Sequence, residues 1–397
     1  MINKNQKILF LGGAFSQLPA IEYAIRSHYY VITLDYLPNN PGHSISHEYH
    51  NISTIEKEEI LKLSKKIKID AICAYASDPA AETAAYVSEE LGIIGGSYES
   101  VQKLSNKKEF RCFLKNNNFN VPWFFSTSNL DELIKNYKGG KTILKPVDSS
   151  GSKGVFTVKN PDELIKFFEE SKSYSRTGQV ILEEQIERKG PQIHGEGFVV
   201  NGELSFILLG DQFFSQVNPL VPYSTVVPSI FHHDLKNKLI KIVQEVIKKI
   251  GFKTGGINVE LIRDINDEIF VLEIGARNGG NYMPQLMYNS TGLDLAKVNV
   301  DALLIRNYQI KSFKLRADFY AQVILHSSKK GKLKKINIPS LFENSILEKH
   351  IYYKIGDNIN IYKSSKDVVG VVILKVKDEN FSSYFSFLKT HDWVIVD

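Results

Sequence analysis

The chain has 397 residues, 43% of them hydrophobic and 23% charged, with a formal net charge of +5 at pH 7. That length is too great for one ordinary core and predicts roughly two or three domains. The small, dispersed positive charge argues against a nucleic-acid partner and suits an anionic small ligand.

The N-terminus, MINKNQKILFLGGAF, joins a basic start to a short apolar run that Gly12-Gly13 ends. It reads as a first β-strand rather than a signal peptide. No stretch approaches the roughly 20 apolar residues of a membrane span, and no membrane partner is expected. Two cysteines, Cys73 and Cys112, lie in unlike contexts without metal-type spacing and read as reduced thiols, so the protein is expected in the cytoplasm. KILFLGG, SQLPAIEYAIRSH and YVITLD read strand, helix, strand. EEILKLSKKIK follows as a helix, IDAICAYAS as a strand, and DPAAETAAYVSEELG as a helix opening at Asp78-Pro79. The alternation predicts a parallel sheet with helices on both faces over residues 1–104.

SNKKEFRCFLKNNNFNVP reads as a helix broken at an Asn-rich turn, and TILKPVDSSGSKGVFTV as two strands joined by a Ser/Gly/Lys loop. A helix (PDELIKFFEESKSY) and a strand (QVILEEQIE) follow. In GEGFVVNGELSFILLGDQF, Asn201-Gly202 between apolar runs is a hairpin signal. LKNKLIKIVQEVIKKIG is the clearest amphipathic helix, with Leu235, Leu239, Val243, Val246 and Ile250 on one face. TGGINVELIRD and EIFVLEIG then pair as a hairpin turning at Ile265-Asn266-Asp267, and GLDLAKVNVDALLI is a further helix. Beyond about residue 310 the pattern is strand-rich, with turns at Gly331, Gly356-Asp357 and Gly370.

Three constellations carry chemistry. Glu260 and Glu273 interrupt apolar strands, and the hairpin sets them opposite one another. Like charges across a half-buried ladder are destabilising unless a cation lies between them, and a divalent metal completed by phosphate oxygens fits. The alternative is a solvated sheet face with its acids paired to lysines. The second constellation is KPVDSSGSKGV, where Lys145 ends a strand and Ser149–Gly154 offers amides and hydroxyls to phosphate. It is not a Walker A loop, because no Gly-Lys-Ser/Thr opens a helix there; an ordinary turn is its alternative. The third is ILEEQIE, an acidic strand suited either to an adenine hinge or to a plain sheet edge. His232-His233 reads as a surface helix start.

The order of these features resembles the ATP-grasp superfamily, in particular its ADP-forming carboxylate–amine ligases of the amino-acid-ligase-like branch. The resemblance implies an α/β and α+β fold: a Rossmann-like pre-ATP-grasp domain (1–104), an ATP-grasp domain (105–310) and a small strand-rich C-terminal domain (311–397). It implies that Lys107 and Lys145 hold the nucleotide phosphates, and that Ser150, Gly151, Ser152 and Gly154 form the loop closing over them. Glu183, Gln185 and Ile186 would supply the adenine hinge, Glu260 and Glu273 the magnesium carboxylates, and Arg277 the grip on the transferred phosphoryl group or substrate carboxylate. Two departures stand out. The second metal strand reads Glu273-Ile274-Gly275 where many members have Glu-x-Asn, so Asn278 is the expected substitute amide. Gln192 occupies the place of a ribose-binding Glu, with Glu196 matching the second Glu of that segment. ATP and Mg²⁺, or Mn²⁺ in its place, are the implied cofactors. A small carboxylate and an amine are the implied substrates, and a homodimer is allowed. Candidate substrate contacts are Tyr75, Ser77 and Asp78 in the first unit and Tyr223-Ser224. The competing functions are a nucleotide binder without catalysis and, since FLGGAFSQ precedes Asp35 by about 20 residues, a dinucleotide-dependent oxidoreductase.

Overall fold

The structure is a computed structural model, described over residues 6–215, 218–377 and 393–397. The first unit runs β1 (Lys7–Leu11), α1 (Leu18–Arg26), β2 (Tyr30–Leu34), α2 (Pro41–Ile45), β3 (Glu48–His50), α3 (Lys57–Ile67), β4 (Ala71–Cys73), α4 (Asp78–Leu91) and α5 (Tyr98–Ser105). Its strands form a parallel sheet in the order β3-β2-β1-β4, as the strand–helix alternation requires. The Gly12-Gly13 turn is packed from inside: a Cβ on Gly13 would lie 2.5 Å from the His43 ring. That close approach of His43 leaves room for no side chain at position 13.

The second unit comprises α6 (Lys107–Asn116), β5 (Phe124–Thr127), α7 (Leu130–Asn136), β6 (Thr142–Pro146), β7 (Phe156–Val158), α8 (Pro161–Ser173) and β8 (Val180–Glu184), with an antiparallel sheet β5-β8-β6-β7. Helix α6 starts where predicted because the Asn106 side chain accepts hydrogen bonds from the amides of Lys108 and Glu109.

The rest of the chain builds on one large sheet. Its elements are β9 (Gln192–Val200), β10 (Glu203–Phe214), β11 (Pro222–Val227), α9 (His233–Ile250), β12 (Gly255–Arg263), β13 (Ile269–Gly275), α10 (Met283–Thr291), α11 (Leu295–Leu304), β14 (Phe319–Leu325), β15 (Gly331–Ile336), β16 (Ile346–Ile351), β17 (Asn358–Ile359), β18 (Gly370–Val376) and β19 (Val394–Val396). Eight of these strands form the large sheet, in the order β13-β12-β9-β10-β11-β14-β18-β16, and β17-β15-β19 form a separate three-stranded sheet. The expected boundary near residue 310 falls between α11 and β14, yet the sheet continues across it: β14 pairs with β11 on one side and β18 on the other. Asn201 and Gly202 take positive φ of 51° and 82°, which closes the β9–β10 hairpin as its sequence predicts.

Side-chain alternation decides what each sheet face does. On β12, Ile257, Val259 and Leu261 pack with Val243, Val246 and Ile250 of α9 in one apolar core, whereas Asn258, Glu260 and Ile262 face a cavity. On β9, Ile193 and Val199 join the same core while Gln192 and His194 face the cavity. The period of two therefore separates a dry face from a polar one.

Candidate active site

The cavity has a volume of about 520 Å³ and lies between the small antiparallel sheet and the polar face of the large one. It is within the usual range for a drug-sized ligand. Its lining combines the apolar Ile143, Val155, Ile186 and Leu272 with the charged Lys107, Lys145, Glu260, Glu273 and Arg277.

The two acids expected to face each other do so. Glu260 and Glu273 are direct partners in the β12–β13 register, with a bulge immediately after Glu260. Burial, then the charge of Glu273, pushes the Glu260 carboxyl up to about 7. Gln192 Nε2 donates to Glu260 Oε2 at 3.1 Å and to Gln212 Oε1 at 2.9 Å. Gln192 thus steadies an acid of the pair within the polar floor, which is a different engagement from the ribose contact expected of it. Lys107 Nζ lies 3.9 Å from Glu273 Oε2 and donates to the Ser149 carbonyl at 2.6 Å.

Lys145 is held by Glu183, with Nζ to Oε2 at 2.6 Å, and Arg111 Nε lies 2.9 Å from the other carboxylate oxygen. Arg111 also donates to the Leu272 carbonyl at 2.9 Å. Burial alone would raise the Glu183 carboxyl, but the two cations hold it at about 2. Its carboxylate is therefore committed inward, so Glu183 is an anchor for Lys145 rather than a free hinge acid; Gln185 and Ile186 line the cavity as expected. Arg111 was missed in the sequence. Its one signal is a charge between the apolar Phe110 and Leu114, one helical turn after Lys107.

Ser150, Gly151 and Ser152 border the cavity, and Gly154 sits at the loop base against Pro146 and Tyr174. The loop lies across the cavity and touches the C-terminal region. Ser152 Oγ donates to the Leu220 carbonyl at 2.9 Å, and the Ser365 amide donates to the Gly151 carbonyl at 3.1 Å. Gly151 and Gly154 have φ of 68° and 69°, conformations that glycine adopts without strain.

Arg277 donates from Nε and Nη2 to both oxygens of Asp78, at 2.7 and 2.9 Å. This bidentate pair joins the first residue of α4 to the end of β13. Ser77 and Asp78 border the cavity. Tyr75 is buried beside a smaller chamber of about 110 Å³ that also touches Gly280 and Asn281. Tyr223 and Ser224 are buried within β11, with the Tyr223 ring edge-on to His326, and neither is among the residues lining the cavity.

Asn278 does not reach the metal carboxylates. It is 0% exposed, donates to Glu196 Oε1 at 2.9 Å and accepts from Asn299. The reason lies in Glu196, itself fully buried. Its carboxylate gathers the Asn278 amide, the Gly279 backbone N–H and the Asn258 amide, which turns the Gly279 segment inward. Burial pushes the Glu196 carboxyl up to about 7 against these donors. His194, Gln212 and Asn258 complete the cavity's polar floor, and the sequence reading did not single them out. For Asn258 a signal was present, since it stands two residues before Glu260 in an alternating strand.

The donor set fits a hard divalent cation such as Mg²⁺: two carboxylates face one another beside a space large enough for phosphate oxygens. Among the described residues, no group of three or more His, Cys, Asp and Glu side chains is placed to hold a metal. His232 and His233 start α9 at the surface, and His232 is 83% exposed.

Comparison with known proteins finds chains similar to this one. Residues 104–281 match the ATP-grasp domain family. A phosphoribosylamine–glycine ligase of Methanocaldococcus jannaschii is 28% identical over 221 residues, covering 50% of this chain and 48% of that protein. The chain therefore spans about half the length of this relative. An L-arginine-specific L-amino acid ligase of Bacillus subtilis is 19% identical over 341 residues, covering 82% and 80% of the two chains. The crystal structure of an L-amino acid ligase from Bacillus licheniformis superposes with a TM-score of 0.83 at 18% identity, covering 100% of this chain and 99% of that one.

Proposed function

We propose, from the match of residues 104–281 to the ATP-grasp domain family, that the protein is an ATP- and Mg²⁺-dependent ligase that joins a carboxylate to an amine. One observation carries the reading. Glu260 and Glu273 face each other across the β12–β13 ladder, in a cavity that also holds Lys107, Lys145 and Arg277. Phosphoryl transfer needs positioning and charge neutralisation more than a protein nucleophile, and this inventory supplies both.

In this reading ATP lies with its adenine in the apolar slot by Gln185 and Ile186, and Lys107 and Lys145 neutralise its phosphates. Glu260 and Glu273 would hold a divalent metal, which would supply charge neutralisation at the phosphate tail. Arg277, kept in place by Asp78, orients the substrate carboxylate toward the γ-phosphate. The product of that transfer is an acyl phosphate, which the amine then attacks with release of phosphate. The Ser149–Gly154 loop excludes the water that would otherwise hydrolyse it. Amino acids are the proposed substrates, supported by the similarity to L-amino acid ligases over most of this chain. A matrix of carboxylates against amines, scored by ADP and phosphate release and by product mass, tests the proposal. Pairwise-dependent ADP release supports it. ADP release indifferent to both partners, or none with any pair, refutes it.

A further inference from the structure

The chain lacks an amide on the second metal strand, because Gly275 stands two residues after Glu273. Asn278 is turned away into the Glu196 cluster. A different amide stands across the ladder from Gly275. In the β12–β13 ladder, Glu260 pairs with Glu273, and Asn258 pairs with Gly275. The four positions form one block on one sheet face, since i and i+2 of a strand point the same way. Gly275 contributes no side chain to that block, and Asn258 faces the same cavity as both acids.

The orientation of Asn258 adds to the argument. Its Nδ2 has three acceptors: Glu196 Oε2 at 3.1 Å, the Gly195 carbonyl at 3.2 Å and His194 Nε2 at 2.9 Å. Its Oδ1 has one contact, at 3.3 Å, with that same imidazole nitrogen. The nitrogen end is thus anchored and the oxygen end is left under-used. A hard divalent cation takes oxygen. The Gly279 backbone closes over the nitrogen end, where a Cβ would lie 2.8 Å from Asn258 Nδ2.

We propose that Asn258 supplies the amide oxygen of the metal site from the strand neighbouring the usual one, so that Glu260, Glu273 and Asn258 are the protein's ligands. The inference rests on the ATP-grasp ligase reading above. It makes the Gly275 departure a transfer of the amide across the ladder rather than its loss. Glu196, His194 and Gly195 are positioning groups that fix which end of the amide faces the cavity.

The test uses Mn²⁺ alone with the full chain, following the free-ion EPR signal, so that no turnover is needed. Asn258→Ala should weaken Mn²⁺ binding about tenfold or more. Asn258→Asp keeps an oxygen at the same place and should bind Mn²⁺ at least as tightly as the native chain, although it loses the Nδ2 donors. Asn258→Gly combined with Gly275→Asn should restore binding to within about threefold of native. A Cβ at Gly275 would lie 3.3 Å from Arg277 Cζ, so small adjustment is needed there. Circular dichroism and thermal melts confirm that each variant is folded. Native Mn²⁺ affinity in a folded Asn258→Ala overturns the inference, as does a loss in Asn258→Asp equal to that in Asn258→Ala, which would mean that the residue acts through Glu196. Glu260→Gln and Glu273→Gln run alongside. If they too leave Mn²⁺ binding unchanged, the metal site itself is wrong; if they abolish it while Asn258→Ala does not, only the role of Asn258 fails.

Discussion

Replacing Glu183 by Gln should destabilise the protein by about 3 kcal/mol at neutral pH, and the loss should shrink in acid. The magnitude follows from the environment of the carboxylate, which is 3% exposed and sits between Arg111 and Lys145. Those cations hold its carboxyl at about 2, against an ordinary value of 4.5. Each tenfold change in proton affinity is worth ~1.4 kcal/mol, which gives roughly 3 kcal/mol. Removing one partner of a buried ion pair independently costs on the order of 3–5 kcal/mol. Because the folded value is depressed, this stability is fully present above pH 4.5 and is lost as the pH falls toward 2. Urea unfolding at pH 7 should therefore separate native from Glu183→Gln by about 3 kcal/mol, and at pH 3 by roughly half of that. Equal stability at pH 7, or a gap that does not change between the two pH values, would refute the account of Glu183 as a charge-locked anchor.

Lys145→Ala should weaken ATP binding at least about tenfold in calorimetry, because it removes a pre-positioned, charge-assisted phosphate donor; unchanged affinity counts against the phosphate assignment. Mg²⁺ at millimolar concentration should raise the melting temperature of the native chain but not of Glu260→Gln or Glu273→Gln, and an equal rise in all three would remove the carboxylates from the metal site. Gly279→Ala should cost about 1–3 kcal/mol of stability, because the new Cβ would lie 2.6 Å from Glu196 Oε2. Gly280→Ala, with nothing within 4 Å of its Cβ, should change stability by less than about 0.5 kcal/mol in the same denaturation assay.

Much of the architecture was legible because it is written in periodicity. The α/β start, helix α9, the Asn201-Gly202 hairpin and the pairing of Glu260 with Glu273 all follow from local pattern and turn chemistry. Helices α2, α5, α7 and α10 are not recognisable in the sequence, since short segments such as YESVQKLS carry too few apolar positions to fix a period. The cavity lining was legible where a charged residue interrupts an apolar strand, as at Lys145, Glu260 and Glu273. It was not legible where the partner is distant in the chain. The sequence contains Arg111 and Glu183 72 residues apart, and Asp78 and Arg277 199 residues apart. Nothing local announces either pair. The engagement of Asn278 with Glu196 and Asn299 is just as illegible locally, since those partners lie 82 and 21 residues away.

The continuity of the large sheet past residue 310 has a practical consequence. A fragment that ended after α11 would take β14 away from β11, exposing the hydrogen-bonding edge of Ser224–Val227 that β14 normally covers. Bare edges of that kind recruit other chains. The same cut would also remove Ser365, against which the Gly151 carbonyl rests. Expression of the ATP-grasp segment by itself is thus expected to yield a sticky product with an untethered phosphate loop, and the C-terminal strands belong in any fragment meant to stay monomeric.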